Sequence, residues 1–163
     1  MVINDSKIIT DILNKAFLTV AQELNYTKEN APKFPAFINS DVIENSLLNG
    51  LKMYGYYKDN QIIGCAGYSY YKDNIYFIER LATLPEYRHL GIGKKLMDYV
   101  EKKIRENNGK IIEIHVVDQN KALIEWYKKL NFVKIRIDDL SEYKIDGKKI
   151  FPFNSYVMNK ILE

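Results

Sequence analysis

Arg88-His89-Leu90-Gly91-Ile92-Gly93-Lys94-Lys95-Leu96 is the stretch whose reading decides this fold. It follows an apolar run at 75–83 that reads as a strand and opens a segment at 94–106 with helical spacing. A strand, a glycine-bearing loop and a helix start together make an anion site. Gly91 and Gly93 can take backbone angles closed to other residues, so successive N–H groups can converge on one point. The positive end of the helix dipole adds to their pull on a phosphate. The expected ligand therefore carries phosphate. His89 offers its backbone N–H rather than its ring, and Lys94, in the first turn, is the side-chain cation next to the site.

Two familiar phosphate loops do not fit. Gly91 and Gly93 are too close together for the nucleotide loop that ends in Gly-Lys-Ser/Thr. A dinucleotide fingerprint would require glycine where the chain has Leu96. What matches is Arg-x-x-Gly-x-Gly preceded by Ile78-Glu79-Arg80-Leu81-Ala82-Thr83-Leu84-Pro85-Glu86-Tyr87, which resembles the coenzyme-A-binding motif of the GNAT family of N-acetyltransferases. A second stretch supports the first. After a strand at 111–117 comes Asp118-Gln119-Asn120, then a short helical segment containing Tyr127, then Asn131-Phe132. In the family an asparagine closes this strand, a tyrosine lies on the helix, and Gly-Phe follows. Asn131 stands in place of the glycine, a mild departure because asparagine tolerates the left-handed helix end next best.

The resemblance implies an α/β fold of the GNAT type: a central mixed sheet flanked by helices, with two parallel central strands, 75–83 and 110–117, that splay apart. It implies acetyl-CoA as co-substrate, entering between those strands. Leu81, Ala82 and Thr83 would meet the pantetheine arm through main-chain groups. Arg88, His89, Leu90, Gly91, Ile92, Gly93 and Lys94 would hold the pyrophosphate, with Asn120 and Tyr127 completing the cofactor site. The N–H near Leu81 would polarise the thioester carbonyl. Tyr127 matches the family's general acid. For the general base the sequence leaves two candidates: Glu79, where polyamine acetyltransferases of this family carry a catalytic glutamate, and His115, whose imidazole has a suitable unperturbed pKa. The implied activity is direct acetyl transfer to a primary amine of a small molecule or peptide. The rival is a non-catalytic sensor of acyl-CoA.

Composition narrows the classes. The chain has 163 residues with a 47% hydrophobic share, which fits a single domain spanning 1–163. One cysteine, Cys65, rules out an internal disulfide, and two histidines rule out a zinc cluster of the usual kind, so no metal is expected. Cys65 lies in an apolar run and reads as a small buried side chain. The net charge of +3 stands against 24 basic and 21 acidic residues, which does not suggest a nucleic-acid partner. Lys94, Lys95, Lys102, Lys103 and Arg105 spread around a solvated helix face. No run approaches the roughly 20 apolar residues of a membrane span, and no leader is evident, so the expected location is the cytoplasm. A homodimer stays open.

The remaining order is read from periodicity and breakers. Residues 6–25 and 41–48 have helical patterns, joined by an irregular Pro-bearing loop at 26–40. Strands are expected at 52–58, 61–71, 75–83, 110–117, 132–137 and 150–159, and helices at 94–107 and 121–130. Asp59-Asn60 is a two-residue hairpin turn. The first two helices, the 26–40 loop and the last hairpin should wall the acceptor site. Phe34, Phe37, Tyr54, Tyr56, Tyr68 and Tyr70 would make that region aromatic, although tyrosines alternating along strands suit ordinary half-buried packing equally. Phe151-Pro152-Phe153 either shapes the site or forms a dimer edge.

Overall fold

A computed structural model describes residues 2–163. Its elements in chain order are β1 (Val2–Ile3), α1 (Ser6–Glu23), α2 (Ser40–Leu48), β2 (Lys52–Lys58), β3 (Gln61–Lys72), β4 (Ile75–Thr83), a short 3₁₀ turn (Pro85–Tyr87), α3 (Ile92–Glu106), β5 (Ile111–Val117), α4 (Lys121–Lys129), β6 (Val133–Asp138), β7 (Lys144–Ile145), β8 (Lys148–Lys149) and β9 (Ser155–Ile161). Seven strands form one mixed sheet in the order β1-β2-β3-β4-β5-β9-β6, in which only β4 and β5 run parallel. β7 and β8 make a small separate hairpin.

The turns follow the sequence chemistry. Asp59 and Asn60 both have positive φ (49° and 62°), as do Asp73 and Asn74 (49° and 60°), so both tight turns of the β2-β3-β4 meander use short polar residues that tolerate the left-handed region. α1 is capped by Asp5, whose carboxylate accepts from Lys7 N and Ile8 N, and α2 by Asn39. α3 buries Leu96, Met97, Val100 and Ile104 on one face. Its opposite face pairs Lys94 with Asp98, Lys103 with Glu106 and Arg105 with Glu101.

Three expectations need correction. β1 is too short to carry a readable pattern and is added at the sheet edge by pairing with Met53 and Tyr54. The last strand begins at Ser155 rather than at 150, because Pro152 has no N–H to give a ladder. The tyrosines of β2 and β3 do not wall an acceptor site. Tyr54 and Tyr68 are buried and stack against each other, with Tyr54 meeting Tyr99 of α3 at 5.1 Å between ring centroids and Tyr68 meeting Tyr76 at 5.9 Å. They are core packing under α3.

Burial of ionisable groups sets the alkaline limit of stability. Burial, with the nearby Asp118 charge, pushes Tyr26 up to about 12. Burial and a hydrogen bond with Tyr54 push Tyr68 up to about 12, and burial, opposed by the nearby Arg80 charge, pushes Cys65 up to about 12. Unfolded tyrosines and cysteines ionise near 10 and 8.5. The folded state therefore binds more protons than the unfolded state above these values, and stability falls as pH rises. This contribution is fully present below pH ~8.5 and is lost progressively toward pH ~12. A thermal melt series from pH 7 to 11 should show Tm declining only above pH ~9; a flat Tm to pH 11 would contradict the burial of these groups.

Candidate active site

The site begins where β4 and β5 part. Their ladder pairs Ile75 with Ile111, Tyr76 with Ile112 and Phe77 with Glu113, and no register pairs extend it beyond that point. From Ile78 onward the two strands diverge, and the β4 edge facing β5 presents main-chain groups that no strand takes up. On its other edge β4 carries a bulge. Cys65 opposes Ala82 while Gly67 opposes Glu79, so β4 has one more residue than β3 across this interval. Arg80 sits in the bulge with φ 57°, a left-handed angle uncommon for a non-glycine residue.

After β4 the chain makes its 3₁₀ turn and enters the glycine loop. The left-handed residues there are His89 (φ 63°) and Gly91 (φ 77°). Gly93 instead lies within α3, where the need is for space: a Cβ added to it would come no closer than 3.8 Å to Trp126 and 3.9 Å to Thr83. The N-terminal turn of α3 faces a cleft of about 350 Å³ lined by Leu81, Ala82, Thr83, Arg88, His89, Gly91, Ile92, Gly93, Lys94 and Asn120. Most of the residues expected to hold a coenzyme thus share one cleft. Leu90 does not line it and stays exposed. Arg88 contributes as a clamp. Its guanidinium donates to Thr19 Oγ1 (2.8 Å), to the Ala16 carbonyl and to the Thr83 carbonyl (3.4 Å), tying the loop to α1. The Lys94 ammonium is paired with Asp98 (2.6 Å). Tyr87 and Trp126 line the cleft too, and sequence reasoning missed them.

A second, larger cavity of about 580 Å³ lies on the α1 side of the sheet. Phe17, Val20, Leu81, Asn120 and Leu123 line both cavities, so the two meet across that wall. The expected catalytic groups Glu79, His115 and Tyr127 all line the larger one. Its outer wall is the 26–40 loop, pinned by Asn14 Nδ2 donating to the Pro35 carbonyl (2.8 Å) and the Ile38 carbonyl (3.2 Å). Phe34 packs edge-on against Phe17, Tyr26 and Phe153. Phe151 and Phe153 line the cavity, which places the Phe-Pro-Phe segment at this site.

Tyr127 is held by α4. Asn120 caps that helix, its side-chain oxygen accepting from Leu123 N (3.2 Å), and the helix ends on Asn131 at φ 69°, the left-handed end expected of this asparagine. The Tyr127 ring is wedged between Trp126 and Phe132, at 5.1 and 5.5 Å between centroids. Burial raises its phenol pKa well above the usual tyrosine value, so the group keeps its proton. Tyr127 lines the larger cavity only; Leu123 and Trp126 are the α4 residues that line the smaller cleft.

Glu79 accepts a hydrogen bond from Ser69 Oγ on the neighbouring strand. His115 has both ring nitrogens engaged: Nε2 with Glu113 Oε1 (2.8 Å) and Nδ1 with Ser155 Oγ (3.3 Å). Glu113, buried, also meets Arg136 (3.4 Å). Sequence reasoning passed over both: Glu113 shares the strand face of His115 two residues away, whereas Ser155 is brought to it only by the β5-β9 pairing. Cys65 is buried beneath the bulge, its Sγ 3.5 Å from the Arg80 carbonyl oxygen. Burial keeps its thiol protonated, which leaves it no role as a nucleophile.

Comparisons with known proteins agree with this geometry. The acetyltransferase (GNAT) family profile matches residues 10–132. The probable N-acetyltransferase san of Drosophila melanogaster is 30% identical over 142 residues, covering 83% of this chain and 73% of that one. N-alpha-acetyltransferase 50 of Danio rerio is 28% identical over 134 residues, covering 79% and 76%. Among solved structures, the PaiA N-acetyltransferase of Thermoplasma acidophilum in complex with coenzyme A superposes with a TM-score of 0.75 at 19% identity, over 99% of this chain and 96% of that one. An acetyltransferase of the GNAT family from Staphylococcus aureus gives 0.70 at 21% identity, over 100% and 98%. With its splayed parallel strands, its glycine loop and its family profile, this chain belongs to the GNAT family of acetyltransferases.

Proposed function

We propose that the chain transfers the acetyl group of acetyl-CoA to a primary amine by direct attack in a ternary complex. The observation that carries this reading is the junction of the two cavities at Leu81, Asn120 and Leu123, with Glu79, His115 and Tyr127 gathered on the acceptor side. A coenzyme in the smaller cleft supplies an acetyl thioester at that junction. The loop fits such a ligand. His89 and Gly91 turn the backbone at the α3 N-terminus, and Gly93 leaves room for it.

Each residue then has a task. The unpaired β4 edge at Leu81 offers an N–H to the negative charge that develops on the thioester oxygen. Glu79 takes a proton from the ammonium, freeing the nitrogen lone pair to form the amide C–N bond. We assign the base to Glu79 over His115 because both imidazole nitrogens already have partners, whereas Glu79 Oε2 is free of hydrogen bonds among the described residues. As the C–S bond breaks, the Tyr127 phenol donates toward the departing sulfur. The net change is ammonium plus thioester giving amide, thiol and one released proton.

Thiol release from acetyl-CoA with a panel of amines tests the reading. Glu79→Gln should lower kcat by roughly 100-fold, the effect of losing a positioned base, whereas His115→Gln should leave the larger part of the activity. Coenzyme binding with no release from any amine would support a sensor instead.

A further inference from the structure

Arg80 is a charge without a counterpart. Its Nε is sealed from solvent and bonds to nothing, the one buried side-chain nitrogen or oxygen in that state among the described residues. No hydrogen bond or ion pair within 4 Å is made by its guanidinium among those residues; the nearby Glu79 carboxylate favours its charged form only at longer range. The residue is partly buried, and a guanidinium that gives up water without gaining a partner is unfavourable. It persists here in a backbone conformation that is itself unfavourable, at φ 57°. Buried polar groups are ordinarily satisfied, so an unsatisfied one needs a reason.

Its position supplies the reason. Alternation along a strand would send residues 79 and 80 to opposite faces of the sheet. The bulge interrupts that alternation, and both residues line the acceptor cavity. Arg80 does not line the coenzyme cleft, so the coenzyme phosphates do not account for it. The cavity floor thus carries an acidic and a basic group on adjacent residues, while Phe17, Phe34, Phe77 and Phe153 make the walls apolar. This pattern complements a ligand whose cation and anion are also neighbours. An α-amino acid has an ammonium and a carboxylate on one carbon, and a guanidinium binds a carboxylate in bidentate fashion.

We infer that the acceptor is a free α-amino acid with a large apolar side chain. Its carboxylate pairs with Arg80, its ammonium faces Glu79, and its side chain lies against the phenylalanine wall. This rests on the acetyl-transfer reading for the reaction, but the binding claim stands on Arg80 alone. Lys33, His115 and Asp138 also line the cavity, and none of them shares the Arg80 bulge.

The test compares L-phenylalanine, L-leucine and L-methionine with their amides, with the decarboxylated amines, and with a peptide of free N-terminus and amidated C-terminus. Calorimetric binding and thiol release are both measured, on wild type, Arg80→Met and Arg80→Lys. For the wild type, kcat/KM for at least one amino acid should exceed that for its amide and amine by roughly 100-fold. Arg80→Met should erase that preference, lowering kcat/KM for the amino acid far more than for its amide and amine, with Arg80→Lys recovering part of it. The ligand-free Arg80→Met protein should melt at or above the wild-type Tm, because an unpaired, partly buried charge has been removed. A wild type that favours the amines or the peptide overturns the inference. So does an Arg80→Met protein that loses stability and slows all acceptors alike, since Arg80 would then be structural. Amino-acid binding that depends on Arg80 without any thiol release would uphold the inference and defeat the transfer reading. Turnover indifferent to the carboxylate would do the reverse.

Discussion

Tyr127→Phe should lower kcat by roughly 100-fold while leaving coenzyme affinity and Tm nearly unchanged. The substitution removes one oxygen from a ring that is otherwise fixed by Trp126 and Phe132, so packing survives. No hydrogen bond is made by the Tyr127 hydroxyl among the described residues, although the side chain lines the acceptor cavity and is only 6% exposed. Its loss therefore breaks no hydrogen bond of the resting protein and, under the proposed mechanism, removes only the donor to the departing sulfur. The size of the effect follows from the acid strengths. A thiol such as cysteine has a pKa near 8.5, so a thiolate already leaves tolerably well without help. Burial raises the Tyr127 phenol further above its ordinary value, which weakens it as an acid but keeps it protonated. It should act chiefly by hydrogen bonding to the emerging sulfur. That places the effect at the low end of general acid catalysis, about 3 kcal/mol. A tyrosine that merely packs would leave kcat intact.

The same burial has a pH signature. With Tyr127 protonated throughout, the kcat profile should rise with the ionisation of the base and show no decline up to pH ~10, where an ordinary tyrosine would begin to lose its proton. The Tyr127→Phe profile should then be lower but of the same shape. A descending limb near neutrality that vanishes in the variant would mean that the phenol titrates, contrary to its environment.

The contrast between what the sequence disclosed and what it hid has a physical cause. Asp59-Asn60 was legible as a turn because left-handed backbone has few tenants besides glycine and these short polar residues. The strand, glycine loop and helix were legible because an anion site is assembled from contiguous residues. The bulge was not. It exists only as a mismatch between β3 and β4, and nothing in Glu79-Arg80-Leu81 announces that two neighbours will share a face. Arg80 was accordingly passed over, and so were Glu113, two residues before His115 on the same strand, and Ser155, which reaches His115 across a strand pairing remote in sequence. The glycine loop was read with one misplacement. Gly93 was expected to supply backbone freedom, whereas His89 does so, and Gly93 supplies an absent side chain.

That distinction makes Gly93→Glu the sharper of the two large predictions. Gly93 lies in the first turn of α3 at an ordinary helical angle, so any L residue fits the backbone there. The nearest atoms to a new Cβ would be 3.8 Å away on Trp126 and 3.9 Å away on Thr83, ordinary van der Waals contacts. Both neighbours line the coenzyme cleft, so a longer side chain would extend into that space. For the folded protein the change is favourable. Glycine within a helix costs close to 1 kcal/mol relative to a good helix former. A carboxylate at a helix N-terminus adds about 0.3 to 1 kcal/mol through the dipole. For a phosphate-bearing ligand each of these gains is a loss: the carboxylate occupies the cleft, repels the pyrophosphate and satisfies the positive helix end in its place. The expected result is a Tm equal to or above that of wild type together with at least a 100-fold loss of coenzyme A affinity by calorimetry, of which about 1.4 kcal/mol accounts for each factor of ten. Gly93→Ala, which adds only the Cβ, should fall between the two. A Gly93→Glu protein that melts higher and still binds coenzyme A normally would move the pyrophosphate site away from the α3 N-terminus.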